Sequence, residues 1–330
     1  MNQSLPDGIV PFLRSAGWVD AKIEPLPGDA SFRRYFRVRA FNGHGGHRTA
    51  MLMDAPPPHE DTGPFRAVAR WLRAHDHRAP VVYAEDNARG LVLLEDFGDD
   101  RMRDWLDDNA EAEDDTYRRA IDALVRLHAS PPGPFAPYDL ATYQREAGLL
   151  PEWYCPAMGL KVDTETYVKA WDEVLAPVLE RQEPGVTVLR DYHAENIMLL
   201  ADGNQGIIDF QDALVGHRAY DLVSLLQDAR REVSPELERR MLEHYRAQVD
   251  AGPDFEADYT TLGAQRNAKI VGIFARLWKR DDKPRYLALI PRVWEALERD
   301  LKHPALAPVD EWFAANIPQE IRDTFGGELM

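Results

Sequence analysis

Apolar residues alternate with polar ones in the first third of the chain and recur at helical spacing through most of the rest. Residues 33–39, Arg33-Arg34-Tyr35-Phe36-Arg37-Val38-Arg39, put Phe36 and Val38 on one side and charges on the other, the period of a strand with one buried face. Apolar runs at 49–54 and 91–95 predict two more strands, with a helix over 64–72 between them. From residue 116 the spacing turns helical. It predicts helices over 116–129, carrying Tyr117, Ile121, Leu124, Leu127 and His128, then over 165–181, 219–231 and 235–250. Inside this helical region two short apolar runs, 197–200 and 206–208, flank Ala201-Asp202-Gly203-Asn204-Gln205, whose Asp-Gly and Asn are hairpin-turn chemistry. A small β-rich part followed by a larger helical part is the expected organisation.

The hairpin carries the most informative chemistry. Folding back on the turn brings Asn196 and Asp209 to the same end, and Asp191 precedes the first strand by a short loop. Two acids and an amide so placed suit magnesium and phosphoryl transfer, which asks the protein for positioning and charge neutralisation more than for covalent chemistry. Asn196 and Asp209 are the expected metal ligands. Asp191, left off the metal, would orient an acceptor hydroxyl and take its proton. The five-residue spacing from Asp191 to Asn196 matches the kinase catalytic loop, and Asp209-Phe210-Gln211 stands where kinases have Asp-Phe-Gly. Each residue alone has an ordinary alternative as a turn or cap residue. A zinc reading of His193 is poorer, since no second His or Cys sits at ligand spacing and Cys155 is the one cysteine. His193 is expected to orient the loop by bonding backbone or Asp209.

These residues resemble the catalytic motif of aminoglycoside phosphotransferase-like kinases, relatives of the protein kinases. The family's His-Gly-Asp-Leu-His-x-x-Asn appears as Leu189-Arg190-Asp191-Tyr192-His193-Ala194-Glu195-Asn196, with Leu and Arg in place of His and Gly. Gly216-His217-Arg218-Ala219-Tyr220-Asp221-Leu222 resembles the segment whose aspartate braces the loop, so Asp221 would be that brace, or alternatively a helix N-terminal charge. The resemblance implies an α+β, bilobal protein-kinase-like fold: a small antiparallel sheet and nucleotide site in residues 1–97, a mainly helical catalytic and sugar-binding lobe in 98–330, and ATP with Mg2+ as cofactors.

It also assigns the nucleotide contacts. Backbone around Gly28, Ser31 and Phe32 would cover the phosphates, and backbone at Glu95 and Phe97 would pair with adenine. The lysine that kinases carry on the strand at 49–54 is absent, and the helix at 64–72 offers no glutamate to pair with it. Loss of both together argues for rewiring, because an orphan buried glutamate is costly. Arg33, Arg34 or Arg37 is expected to supply the missing cation.

Composition narrows the rest. A chain of 330 residues, 45% hydrophobic and 29% charged, has enough for one sizeable core or two lobes. A net charge of −17 argues against nucleic acid, whose phosphates reward basic surfaces. The acidic stretch at 107–115 reads as a solvated helix junction. No apolar run approaches membrane-spanning length and no leader-like segment opens the chain, so a cytoplasmic protein without membrane insertion, a monomer by default, is expected.

For the acceptor, the segment at 144–154 holds Arg145, Glu146 and Trp153, which can grip a sugar by hydrogen bonds and stacking or merely cap the core. Gln211, Asp212 and Arg276 are further candidates, the last on a stretch, 265–278, rich in Arg and Lys near its apolar face. The pieces Leu52-Met53-Asp54-Ala55-Pro56-Pro57, Leu93-Leu94-Glu95-Asp96-Phe97-Gly98-Asp99 and Phe274-Ala275-Arg276-Leu277-Trp278 resemble one subgroup of the family: bacterial kinases that phosphorylate the anomeric hydroxyl of N-acetylmuramate and N-acetylglucosamine in cell-wall recycling. That implies a small-molecule amino-sugar substrate. Another alcohol (an aminoglycoside, choline or a homoserine type) and a nucleotide-binding pseudokinase sensor remain the alternatives.

Overall fold

The computed structural model describes residues 5–27, 33–41 and 46–329. In chain order its elements are α1 (Ile9–Ser15), β1 (Lys22–Pro25), β2 (Arg34–Phe41), β3 (His47–Asp54), α2 (Gly63–Ala74), β4 (Val82–Asp86), β5 (Leu91–Glu95), α3 (Met102–Asp108), α4 (Glu113–Ala129), α5 (Leu140–Ala147), α6 (Cys155–Ala157), α7 (Thr164–Arg181), β6 (Val186–Val188), β7 (Ile197–Leu199), β8 (Gln205–Ile207), β9 (Leu214–Gly216), α8 (Ala219–Leu226), α9 (Pro235–Arg246), α10 (Phe255–Asp281), α11 (Ile290–Leu301), α12 (Ala307–Asn316) and α13 (Gln319–Asp323). They fall into two compact units, Met1–Arg101 with Asn196–Asp212, and Met102–Glu195 with Ala213–Met330.

The first unit is built on an antiparallel sheet ordered β1-β2-β3-β5-β4. Alternation sends Phe36, Val38, Leu52, Leu91 and Leu93 into one cluster with Ile9, Phe12 and Leu13 of α1 and with Trp18. The β7–β8 hairpin pairs Ile197 with Ile207 and Leu199 with Gln205. It belongs to this unit, whereas the division at residue 97 grouped it with the second. The reason is local bonding. Leu199 N–H donates to Asp100 O across 2.7 Å, and Ile207 N–H donates to Arg78 O across 2.8 Å. Gly206 is also needed, because a Cβ there would lie 2.6 Å from the Phe97 ring.

The second unit gathers its helices around α10, which is buried without interruption from Thr261 to Gly272. Such a helix carries its polar residues inward, and Gln265, Arg266, Asn267 and Lys269 all lie in the interior. Gly272 permits a backbone approach, since a Cβ there would sit 2.3 Å from the carbonyl carbon of Leu149. The predicted helix at 219–231 ends at Leu226 as α8. Beyond it the Asp228 carboxylate accepts from the N–H of Arg230 (2.8 Å) and of Ala194 (3.2 Å), turning the chain toward the 191–195 loop. No helix among the described residues is long and apolar enough to cross a membrane.

Candidate active site

The hairpin residues Asn196 and Asp209 lie in the first unit. Ile208 N–H donates to Asn196 O across 3.0 Å, which fixes the two backbones side by side at the open end of the hairpin. Asp209 follows with φ +58°, a left-handed conformation unusual for a residue with a side chain, costing about 1–3 kcal/mol and typical of functional positions. Its side chain is 49% exposed and accepts from Gln211 Nε2 across 3.0 Å. Gln211 Nε2 is also 3.4 Å from Asp212. Gln211 and Asp212, expected as sugar contacts, are thus placed around Asp209.

Arg33 approaches the same carboxylate, 3.8 Å away, while donating to Glu60 across 3.2 Å. Arg34 is engaged by the buried Asp54 at 2.6 Å. Arg37, itself buried, is held by Asp96 and Asp99, each 2.8 Å away, and by the Gly98 carbonyl. Of the three arginines, Arg33 is the one beside Asp209. Its acid partner, Glu60, stands just before α2, outside the helix at 64–72 where a kinase-like glutamate is expected.

Glu95 at the end of β5 is fixed on both sides. Its N–H donates to Val81 O across 2.8 Å, and its carboxylate takes a two-pronged bond from Arg78 at 2.6 and 2.7 Å, which holds the carboxyl below its usual range. The Arg78 guanidinium in turn stacks over Phe97, 4.7 Å from the ring centre. Gly28, Ser31 and Phe32 lie outside the described residues.

Asp191 and the groups around it lie in the second unit. Leu189 N–H and Arg190 N–H donate to the fully buried Asp221 carboxylate across 2.7 and 2.8 Å. Burial pushes Asp221 up to about 7, against those two bonds and the nearby Arg266 charge. Arg190 adopts φ +71°, the conformation that favours glycine, so the backbone keeps a glycine-like turn where the side chain is an arginine. That side chain pairs with Glu146 and lies over Tyr138. Glu146 also receives Lys269 at 3.0 Å and the Tyr138 hydroxyl.

Asp191 therefore projects from a loop pinned at its start. The carboxylate keeps an open face, 43% exposed, on a site otherwise enclosed. Enclosure works to raise its pKa, but Lys269, Arg266, His193 and Arg190 together hold it below the usual carboxylate range. The group is ionised at neutral pH. His193 is buried and meets Arg230 at 3.4 Å. Burial lowers His193 to about 4, so it is a neutral imidazole at pH 7.

The other acceptor candidates are placed apart from this cluster. Arg145 is exposed on α5 and Trp153 is half-buried. Arg276 lies near Glu152, Arg280 and Asp281, seven residues or roughly 10 Å along α10 from Lys269. Arg266 and Lys269, one turn apart, are the α10 cations that reach Asp191 and Glu146. Their signal was present in the sequence as basic residues on an apolar helix face.

Asn196 and Asp209 present hard oxygen donors that fit a divalent cation, and Asp209 is anionic, exposed and conformationally committed. Among the described residues no group of three or more His, Cys, Asp or Glu is arranged to hold a metal, so the zinc reading of His193 finds no ligand set there.

Comparison with known proteins places this geometry in a family. Residues 22–259 match the family described as phosphotransferase enzyme family. N-acetylmuramate/N-acetylglucosamine kinase of Caulobacter vibrioides is 37% identical, covering 94% of this chain and 96% of its own. The enzyme of the same name from Pseudomonas aeruginosa is 36% identical over 92% and 91%. Among solved structures, choline kinase LicA from Streptococcus pneumoniae superposes with a TM-score of 0.62 at 13% identity, covering 91% of this chain and 98% of its own. The gentamicin complex of APH(2")-IIa gives 0.61 at 14% identity over 92% and 98%. These distant neighbours share the bilobal kinase-like fold. Because the family pattern runs from residue 22 to 259 and the amino-sugar kinases are more than one-third identical over nearly their whole length, the chain belongs to the phosphotransferase enzyme family.

Proposed function

We propose that this chain transfers the γ-phosphoryl group of ATP to the anomeric hydroxyl of N-acetylmuramate or N-acetylglucosamine. The observation that carries the reading is an ionised carboxylate, Asp191, held on a pinned loop by surrounding cations, five residues before a hairpin that presents Asn196 and Asp209 together. The amino-sugar relatives, matched almost end to end, support the acceptor class. Asp191 orients the acceptor hydroxyl and takes its proton as the oxygen bonds to phosphorus, in line with the departing ADP oxygen. No phosphoenzyme is required. Asn196 and Asp209 would hold Mg2+, which when bound neutralises charge on the transferring phosphates. Arg33, steadied by Glu60, would add a second positive charge. Backbone from Glu95 to Phe97 would seat the adenine. Asp221 holds the loop by its backbone, and His193, buried and neutral, meets Arg230.

A pseudokinase sensor would need no base, and the cationic setting of Asp191 has no use in a protein that only binds nucleotide. Purified protein given ATP and Mg2+ should release ADP when N-acetylmuramate or N-acetylglucosamine is added. Equal turnover without any sugar, or turnover with choline or an aminoglycoside alone, would overturn the acceptor assignment.

A further inference from the structure

We propose that Arg266 of α10 is a positioning residue for the Asp191 base, a single buried guanidinium that serves both Asp191 and its brace Asp221. This inference rests on the reading of Asp191 as the base.

Arg266 is 4% exposed, in the middle of a helix buried on all sides. A charge so placed is unfavourable unless anions answer it. Its Nη2 donates to Ser224 Oγ of α8 across 2.9 Å and stands 3.8 Å from Asp191 Oδ1. Ser224 lies one turn after Asp221 on the same helix, and the Arg266 charge also acts on Asp221. The Nη1 atom is buried with no hydrogen-bond partner among the described residues, so this guanidinium is not used up by neutral bonds.

The consequence runs through the backbone. Asp221 accepts from Leu189 and Arg190 N–H only fully as a carboxylate, since a protonated oxygen gives up acceptor capacity. Its own donors are neutral amides; Arg266 contributes the charge that favours its ionised form. Those two bonds hold Arg190 in its left-handed turn, and that turn aims Asp191. Remove the guanidinium and Asp221 holds its proton to higher pH, the turn loosens, and Asp191 loses a cation as well. The other titratable groups facing Asp191 are Lys269 on α10 and Arg190 and the neutral His193 on its own loop, with Asp221 from α8 facing Arg266; Glu146 of α5 reaches the cluster by pairing with Arg190 and Lys269. Lys269 acts on Asp191 while pairing with Glu146 at 3.0 Å; Arg266 is the α10 cation whose charge acts on both aspartates.

The test compares Arg266→Met, Arg266→Lys, Ser224→Ala and Asp191→Asn, with thermal melting of each to set an assay temperature where it is folded. Arg266→Met should lower kcat roughly 10- to 100-fold, the effect of a misaimed group, and leave KM for ATP unchanged. The acid limb of its kcat profile should move up by about one pH unit, because a carboxylate that loses a neighbouring cation keeps its proton to higher pH. Arg266→Lys should restore the limb and part of kcat. Ser224→Ala, a milder change that frees the guanidinium from α8, should move kcat in the same direction by a few-fold, and it carries the test if Arg266→Met does not fold. An unmoved acid limb with wild-type kcat in Arg266→Met, or in Ser224→Ala if the former fails to fold, overturns the inference while a dead Asp191→Asn keeps the base reading. Full activity of Asp191→Asn overturns the base reading itself.

Discussion

The Arg33 guanidinium donates to the Glu60 carboxylate across 3.2 Å, both side chains only 17% exposed. A cation held this way near Asp209 would substitute, in another position, for the strand lysine and helix glutamate of the kinases. Arg33→Ala should therefore weaken ADP and ATP binding by about 10- to 100-fold, the worth of a charge-assisted bond. Glu60→Gln should weaken it less, by losing orientation but not charge. Arg34→Ala should leave affinity near wild type, since Arg34 answers Asp54, and Arg37→Ala should lower the melting temperature by stranding Asp96. Calorimetric titration with nucleotide checks all four. Unchanged affinity in Arg33→Ala places the phosphate cation elsewhere.

Asp191→Asn should keep the fold and nucleotide affinity while turnover falls by roughly 10² to 10⁴, the usual contribution of a positioned base. Asparagine preserves the shape beside Arg266 but cannot accept the proton. Steady-state kinetics with saturating sugar decide it, and undiminished turnover would remove Asp191 from the role.

Much of this was legible from spacing alone. The hairpin, its turn and the order of Asp191, Asn196 and Asp209 follow from local rules, because turn chemistry and period-two alternation act over a few residues. Arg190 shows where that reasoning stops. An arginine in place of the family's glycine does not by itself predict a glycine-like backbone; long-range bonds to Asp221 hold it at φ +71° nonetheless. Glu60 and Arg266 were obscured for the same reason. Their partners, Arg33 and Asp191, are 27 and 75 residues away in sequence, and pairing at such separations leaves no periodicity to read. The hairpin's membership of the first unit depends likewise on Asp100 and Arg78, which no local pattern links to Leu199 or Ile207.

Asp209→Ala should raise the magnesium concentration needed for half-maximal activity and weaken magnesium-nucleotide binding, because a hard anionic ligand is gone. It should not relieve the left-handed strain at that position, since alanine tolerates φ +58° no better than aspartate. Titrating Mg2+ at fixed ATP reads the effect. A wild-type magnesium curve would exclude Asp209 as a ligand.

His193, lowered to about 4 by burial, gives the fold an acid limit. Its folded pKa lies below the unfolded value near 6.5, so the neutral form is favoured in the fold and the protonated form in the unfolded chain. The stabilisation is complete above about pH 6.5 and is lost as pH falls toward 4, a window worth a few kcal/mol at about 1.4 kcal/mol per unit. His193→Gln should melt less steeply with pH across that window, though at a lower temperature at pH 7 from lost packing. Parallel slopes for the two proteins between pH 6.5 and 4 would show that His193 does not set the limit.

The product tests where the phosphoryl group goes. An anomeric hydroxyl is more acidic than an ordinary sugar alcohol, and Asp191, held low by Lys269 and Arg266, is a weak base. A weak carboxylate base suits an acidic acceptor in a loose transition state, where the proton leaves late. N-acetylglucosamine and N-acetylmuramate should accordingly give the 1-phosphate. Methyl glycosides, blocked at that oxygen, should not react, and their failure should appear as absent turnover and not merely as raised KM. Phosphorus NMR of the product distinguishes the outcomes, since a 1-phosphate couples to the single anomeric proton and a 6-phosphate to the C6 methylene pair. Coupling to the methylene, or full activity on a methyl glycoside, would reject the anomeric assignment and leave the kinase chemistry of Asp191, Asn196 and Asp209 standing.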